Sequence, residues 1–232
     1  QSVPHVGAHA KHLYVFQRTP SSVDLRGNKP TDPNWAKSLK PGWQRERREN
    51  FNSMITGQPV DQDLVSDGWT EIFRLFASMV PRDGEAPVSM EELALLVELA
   101  DFKKMNGIRE RVDQIVREHE RAEVLKPWYR QFCKRPTFND EYLPTFNQRN
   151  VTLIDTSNAQ GVERITKRGV VANGVEYPVD CIIFATGFEV GTAWTRRAGY
   201  DIYGQDGVHL SDYWANGMKT LHGFSAHGFP NC

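Results

Sequence analysis

The sequence predicts an α/β protein in which a helical segment interrupts a strand-rich module. Short apolar runs at residues 13–16 (LYVF), 151–154 (VTLI) and 181–185 (CIIFA) are typical of buried strands. Between the first two runs, apolar residues recur at helical spacing over residues 89–116. Strands, then helices, then strands again indicate an α/β fold with a helical insertion.

Composition and charge restrict the class of partner and compartment. The 232 residues carry 28 Lys and Arg against 29 Asp and Glu, a net charge of -1, so no basic surface for nucleic acid is expected. No apolar run approaches the roughly 20 residues of a transmembrane helix. Three widely spaced cysteines without a CxxC pair argue against a disulfide scaffold or a Cys-based zinc site. They favour a reducing compartment, and we expect the cytoplasm.

The two ends suggest a piece of a longer polypeptide. The chain starts at Gln1 without a signal peptide and stops at Cys232, within what reads as continuing structure. Residues 1–12 read as the second half of a helix that leads into the strand at 13–16. Prolines between residues 19 and 42 exclude a continuous helix there, so we predict a loop.

Two helices and a hairpin are predicted in the rest of the chain. Ser89 and Glu92 form a capping-box pattern before an apolar face. Asn106-Gly107 is expected to end this helix, and a second amphipathic helix follows over residues 108–116. Asn173-Gly174, between two strand-like runs, predicts a β-hairpin within residues 169–177.

Two short segments carry cations at element boundaries. Arg18 and Thr19 directly follow the first strand, where an Arg suits a 2′-phosphate and so favours NADP over NAD. Lys134 and Arg135 are adjacent where the helical stretch ends, and paired cations can hold a phosphate or stabilise a developing anion. Each segment taken alone is also typical of solvated surface charges.

A third segment is Thr186-Gly187, which ends the strand predicted at residues 181–185. Small residues at a strand end let a cofactor or another backbone approach closely. The seven histidines are scattered, without Cys or carboxylate partners at metal-ligand spacing, so no metal site is predicted.

In this order and at this spacing, the segments LYVFQRTPS, CKRPTFNDEYLPTFNQRNV, CIIFATGF and HGFPN resemble the flavin-dependent Baeyer–Villiger monooxygenases. Within that family they are most similar to members that act on bulky cyclic ketones and steroids. The resemblance covers essentially the whole chain. It implies FAD and NADPH as cofactors, a ketone and O2 as substrates, and insertion of one oxygen atom through a C4a-peroxyflavin to give an ester or lactone.

The resemblance also implies a domain plan, that of a flavoprotein with two Rossmann-like dinucleotide-binding domains, one for FAD and one for NADP. Residues 1–28 and 134–180 match part of the NADP-binding domain. Residues 29–133 match the helical insertion. Residues 181–232 match a return segment of the FAD-binding domain.

The resemblance assigns roles to the cations. Arg18 and Thr19 match the family's contacts to the NADP 2′-phosphate, and Lys134 matches a lysine that reaches the same side. Arg135 matches the arginine beside the flavin, a catalytic residue that stabilises the negatively charged peroxyflavin. A guanidinium suits this role because it cannot lose its proton.

Thr186 and Gly187 match the ATG segment, where the family's chain passes from the NADP domain to the FAD domain. They are therefore expected to contribute to cofactor binding. The family's two glycine-rich fingerprints and its FxGxxxH motif are missing from these 232 residues.

Two alternatives stay open. The first is a related flavin monooxygenase that hydroxylates nitrogen or oxidises sulfur. The length of the predicted insertion and the Lys134-Arg135 pair argue against it. The second is a non-catalytic fragment that binds a partner at most, which the missing glycine-rich loops favour. The sequence does not predict an oligomeric state.

Overall fold

The chain divides into two units, Gln1–Asp180 and Cys181–Cys232, in a computed structural model that describes residues 2–79, 89–158, 161–187 and 191–230. The helices described in the first unit are α1 (Ser2–His9), α2 (Pro33–Ser38), α3 (Trp43–Ile55), α4 (Gly68–Ala77), α5 (Met90–Ile115), α6 (His119–Leu125) and α7 (Tyr142–Thr145). Its strands are β1 (Leu13–Gln17), β2 (Val23–Asp24), β3 (Thr137–Phe138), β4 (Val151–Asp155), β5 (Arg164–Ile165), β6 (Gly169–Ala172) and β7 (Val175–Pro178). The second unit contains α8 (Trp194–Ala198) and α9 (Leu210–Tyr213). The predicted α/β class is confirmed.

Strands β1 and β4 pair in parallel although more than a hundred residues separate them in sequence. Leu13 lies opposite Val151, and Gln17 lies opposite Asp155. Helix α1 precedes β1, as the sequence predicts, and Asn150 caps its end by donating to the Gly7 and Ala10 oxygens at 2.8 and 3.0 Å. The carboxyl ends of both strands therefore open at one edge of the sheet.

One hydrophobic core joins this strand pair to helices of the predicted insertion. Its buried members come from α5 and the residue after it, α6, α7 and the residue after it, and β4: Val112, Val116, Ala122, Leu125, Leu143, Phe146 and Val151. Each large side chain buried here contributes about 1.5–3 kcal/mol. The end of α5 and the whole of α6 thus pack as part of the first unit.

Helix α5 differs from its prediction. The Ser89–Glu92 capping box is present, with Ser89 N–H donating to Glu92 Oε2 at 2.8 Å and Glu92 N–H donating to Ser89 Oγ at 3.2 Å. However, the predicted break at Asn106-Gly107 is wrong, because the helix continues to Ile115. A glycine inside a helix costs about 1 kcal/mol. Burial of Met105 and Ile108 on either side offsets that cost.

The proline-rich stretch is less irregular than predicted. Residues 19–42 contain no long helix, but they include β2 and α2. Pro33 occupies the first turn of α2, where its missing N–H costs nothing, and Asp32 caps the helix by accepting from Asn34 N–H at 2.8 Å. Proline therefore starts this helix rather than preventing it.

The hairpin predicted around Asn173-Gly174 is confirmed. Strands β6 and β7 pair antiparallel, with Ala172 opposite Val175. Asn173 and Gly174 have φ values of 52° and 73°, the left-handed pair of a type I′ turn. The hairpin packs on β1 through Tyr177, whose ring lies 5.2 and 5.4 Å from those of Tyr14 and Phe16.

The strand predicted at residues 181–185 is wrong. Residues 181–187 have no regular structure, and Ile183 and Phe184 are 60% and 72% exposed. A buried strand needs a neighbour that pairs its backbone groups, and no segment among the described residues pairs with this one.

Among the described helices, none is long and apolar enough to cross a membrane.

Candidate functional site

Arg18 and Thr19 are the first residues after β1. Both are exposed at the carboxyl end of the strand pair. The N–H of Thr156, which follows β4, donates to the Gln17 oxygen at 2.9 Å and closes the same edge. In open α/β sheets ligands bind at this edge, so the two side chains stand where a nucleotide would approach.

The Lys134 side chain lies at the same end of the strand pair, next to Thr19, although Lys134 is 115 positions further along the chain than Thr19. Its Nζ donates to the Thr19 main-chain oxygen at 3.3 Å and lies 5.4 Å from the centre of the Tyr129 ring. Burial lowers the pKa of Lys134, and the charge of Arg18 lowers it further. Within the described residues neither Arg18 nor Lys134 forms an ion pair with a carboxylate. Two cations that pair with no carboxylate in the described part of the chain are arranged to receive an anion.

Tyr129 fixes the segment that follows Thr19. Its hydroxyl donates to the Pro20 oxygen at 2.8 Å and accepts from the Ser22 N–H at 2.9 Å. Each of these bonds joins positions more than a hundred residues apart. No spacing in the sequence indicates such a contact, and sequence reasoning did not find Tyr129.

Arg135 is held through its backbone neighbours. Pro136 after it is buried, and Thr137 in β3 donates its N–H to the Ser22 oxygen at 3.2 Å while β3 pairs in parallel with β2. The Arg135 side chain is exposed, and across residues 2–79, 89–158, 161–187 and 191–230 it makes no hydrogen bond or ion pair. The guanidinium is therefore available to a ligand.

A carboxylate that sequence reasoning missed orders the loop after β2. Asp140 accepts from the N–H groups of Arg26, Gly27 and Asn28 at 2.7, 3.3 and 3.4 Å. Burial opposes ionisation of Asp140, but these hydrogen bonds and the charge of Arg111 lower its pKa. The loop is thus tied to the segment that carries Arg135.

Thr186 and Gly187 belong to the second unit. Both are exposed, and Gly187 has a φ of 82°, which favours glycine. Their predicted contribution to cofactor binding stays a prediction.

One group of possible metal ligands lies outside this site. Asp113, His119 and Glu123 are exposed and close together. Lys126 sits between the two carboxylates, 2.8 Å from Asp113 and 2.5 Å from Glu123. Its ammonium already pairs with both carboxylates, so the group is an ion-pair cluster of the surface.

A parallel strand pair with unpaired cations at its carboxyl end is the arrangement expected of an α/β protein that binds a phosphorylated nucleotide. Comparison with known proteins is more specific, although no protein-family profile matches the chain. Neopentalenolactone D synthase of Streptomyces avermitilis is 53% identical over the whole chain, which covers 39% of that relative. Baeyer-Villiger monooxygenase ATR8 of Stachybotrys chlorohalonatus is 52% identical, again over the whole chain and 37% of the relative. The chain thus spans about two fifths of the curated relatives it matches.

Solved structures agree with the sequence comparison. A polycyclic ketone monooxygenase from the thermophilic fungus Thermothelomyces thermophila superposes with a TM-score of 0.82 at 42% identity, over 100% of this chain and 38% of that one. OTEMO, in complex with FAD and NADP, superposes with a TM-score of 0.69 at 30% identity, over 98% of this chain and 42% of that one. Over its whole length the chain is similar to Baeyer–Villiger monooxygenases, and the resemblance found in its motifs is confirmed.

Proposed function

We propose that the protein is an FAD- and NADPH-dependent monooxygenase that inserts one oxygen atom from O2 into a ketone, giving an ester or lactone. The observation that carries the proposal is the convergence of Arg18, Thr19 and Lys134 at the end of β1. It occurs in a chain that aligns throughout with Baeyer–Villiger monooxygenases.

Two exposed free thiols, Cys133 and Cys181, support a reducing compartment such as the cytoplasm.

The site fits the 2′-phosphate of NADPH. Arg18 supplies a planar fork of donors, and Lys134 supplies a compact charge beside it. A nucleotide without the 2′-phosphate would leave both cations without a counter-ion. NADPH is therefore favoured over NADH by the electrostatics of this chain's own residues.

The Arg135 guanidinium would act on the second cofactor. When bound, the flavin supplies the activation of O2 and the transfer of one oxygen atom to the substrate. The part proposed for Arg135 is to hold a fixed positive charge beside the anion that develops there. Its tethered backbone supports this role, as does its exposed side chain, which has no partner among the residues that the structure describes.

The substrate class we propose is a bulky cyclic ketone. It rests on the likeness to the polycyclic ketone monooxygenase, at 42% identity over the whole chain. The shape of the pocket decides which ring is accepted and on which side of the carbonyl the oxygen enters.

Product analysis tests the proposal. The intact, flavin-loaded enzyme is given NADPH with either a bulky cyclic ketone or a thioether, and the products are identified. We expect an ester or lactone from the ketone. Sulfoxide or N-oxide formation without any ester would favour the related class of flavin monooxygenases, and absence of both products would favour a non-catalytic protein.

Arg135→Ala tests the residue assignment. We expect ester formation to fall by roughly a hundredfold or more, the effect of losing a charge that stabilises a developing anion. Arg130→Ala is the matched control, because Arg130 lies five positions earlier, pairs with Glu98 at 2.7 Å and is largely exposed. Near wild-type ester formation by the Arg135 variant would refute the role.

A further inference from the structure

Tyr129 lies between α6 and the Lys134-Arg135 pair, inside the segment predicted as the helical insertion. Its hydroxyl bridges two backbone groups of the strand-end segment, the Pro20 oxygen and the Ser22 N–H. Its ring lies beneath the Lys134 ammonium, with 5.4 Å between Nζ and the ring centre. One side chain therefore contacts both sides of the candidate phosphate site.

Among the described residues, the segment held by Tyr129 is otherwise tied at its two ends. Thr19 accepts from Lys134, and the Ser22 oxygen accepts from both the N–H and the hydroxyl of Thr137 in β3. Removing the Tyr129 hydroxyl would release the segment between these two points. Because Arg18 and Thr19 are exposed and immediately precede it, their position depends on that restraint.

The chemistry of the hydroxyl suits a permanent bridge. Donation to Pro20 requires the protonated phenol, and burial raises the pKa of Tyr129 above its ordinary value of 10.0. The phenol therefore stays protonated at neutral pH and keeps both hydrogen bonds. The electron-rich face of the ring also favours the charged form of Lys134.

We propose that Tyr129 is a positioning residue that sets the selectivity of this site for nucleotides with a 2′-phosphate over those without one. The inference rests on the proposed use of NADPH. It extends that proposal to a residue that acts through its contacts with Pro20, Ser22 and Lys134. It assigns part of the cofactor selectivity to the helical segment rather than to the strands alone.

The test is nucleotide binding by the intact holoenzyme, measured by titration calorimetry. The probes are adenosine 2′,5′-bisphosphate and 5′-AMP, which differ only in the 2′-phosphate. In Tyr129→Phe, we expect the Kd of the bisphosphate to rise roughly 5- to 10-fold, the effect of about 1 kcal/mol. The Kd of 5′-AMP should change by less than about twofold, since it lacks the group that the two cations bind.

Tyr142→Phe is the matched control. Tyr142, like Tyr129, is half-buried. Burial raises the pKa of Tyr142 to about 12, and its hydroxyl forms no hydrogen bond among the described residues. Its removal should change neither Kd. Tyr129→Leu removes the ring as well as the hydroxyl, and we expect a larger selective loss than in Tyr129→Phe.

The same titration with Arg18→Ala separates the two proposals. If Arg18→Ala weakens bisphosphate binding and Tyr129→Phe does not, the inference about Tyr129 is wrong and the NADPH site stands. If Arg18→Ala changes neither Kd, the 2′-phosphate site is wrong, and the inference falls with it. An equal loss of both probes in Tyr129→Phe would show general damage to the fold and would also overturn the inference.

Discussion

Lys134 donates a hydrogen bond from Nζ to the Thr19 main-chain oxygen at 3.3 Å, across 115 positions of sequence. The bond joins the residue after the helical segment to the second residue after β1. It places the Lys134 ammonium beside Arg18. Burial lowers the pKa of Lys134, and the charge of Arg18 lowers it further. The two cation segments of the sequence are joined through this contact.

The first prediction concerns selectivity between the two nicotinamide cofactors. In Arg18→Ala and in Lys134→Met, we expect the KM for NADPH to rise about 10- to 100-fold, because each change removes a charged partner of the 2′-phosphate. The KM for NADH should change by less than about threefold. Steady-state kinetics of the intact enzyme with both cofactors measures the ratio, and equal changes for NADPH and NADH would remove these residues from the site.

The second prediction concerns pH. Burial, followed by the charge of Arg18, lowers the pKa of Lys134 below its ordinary value of 10.5. A bound phosphate favours the ammonium form, so affinity is complete below the lowered pKa and is lost as pH rises through it. We expect the Kd of adenosine 2′,5′-bisphosphate to increase between neutral pH and about pH 10. Ionisation of the 2′-phosphate does not contribute to this change in Kd, because its second pKa lies near 6.

Lys134→Arg is the matched variant for the pH dependence. A guanidinium stays protonated over the whole range, so the alkaline loss of affinity should be largely absent in this variant. The same loss in Lys134→Arg as in the natural enzyme would mean that another group titrates.

The third prediction concerns a buried lysine that connects helices to β2. The Lys104 side chain is 5% exposed, and its ammonium contacts Asp24 at 2.5 Å as well as Glu71. In Lys104→Met we expect a loss of about 3 kcal/mol in stability, because two carboxylates remain without their cation. Lys103→Met, at the exposed neighbouring position, should have almost no effect. Urea unfolding of the intact protein measures both, and equal midpoints for the two variants would contradict the structure.

The fourth prediction tests the continuity of α5 through its glycine. A Cβ built on Gly107 meets no heavy atom within 4 Å, and its φ lies outside the left-handed range. Gly107→Ala should therefore stabilise the protein by about 0.5–1 kcal/mol. Gly174→Ala is the control of opposite sign, since Gly174 has a φ of 73°. Destabilisation by Gly107→Ala would show that the helix is broken there.

The elements that local pattern determines could be predicted from sequence. The type I′ turn at Asn173-Gly174 and the Ser89–Glu92 capping box depend on residues within a few positions of one another. The break predicted at Gly107 was wrong because tertiary burial outweighed a weak local preference. The strand predicted at residues 181–185 was wrong because a strand also depends on a pairing partner, which local sequence does not contain.

The residues of the candidate site also differ in whether the sequence indicates them. Arg18 and Lys134 were found as cations at element ends, which can bind phosphate, but the family resemblance was needed to favour this role over that of solvated surface charges. Tyr129 and Asp140 could not be found, because each acts through hydrogen bonds that span more than a hundred residues. The catalytic role of Arg135 stays a prediction. The same holds for cofactor binding by the remaining site residues, Arg18, Thr19, Lys134, Thr186 and Gly187.

Isotope labelling tests the central claim most directly. The intact, flavin-loaded enzyme is incubated with NADPH and a bulky cyclic ketone under oxygen-18 gas, and the product is analysed by mass spectrometry. The proposed function predicts an ester or lactone that has gained one oxygen-18 atom, with the label in the bridging position. Recovery of unchanged ketone while NADPH is consumed, or of a product without the label, would contradict it.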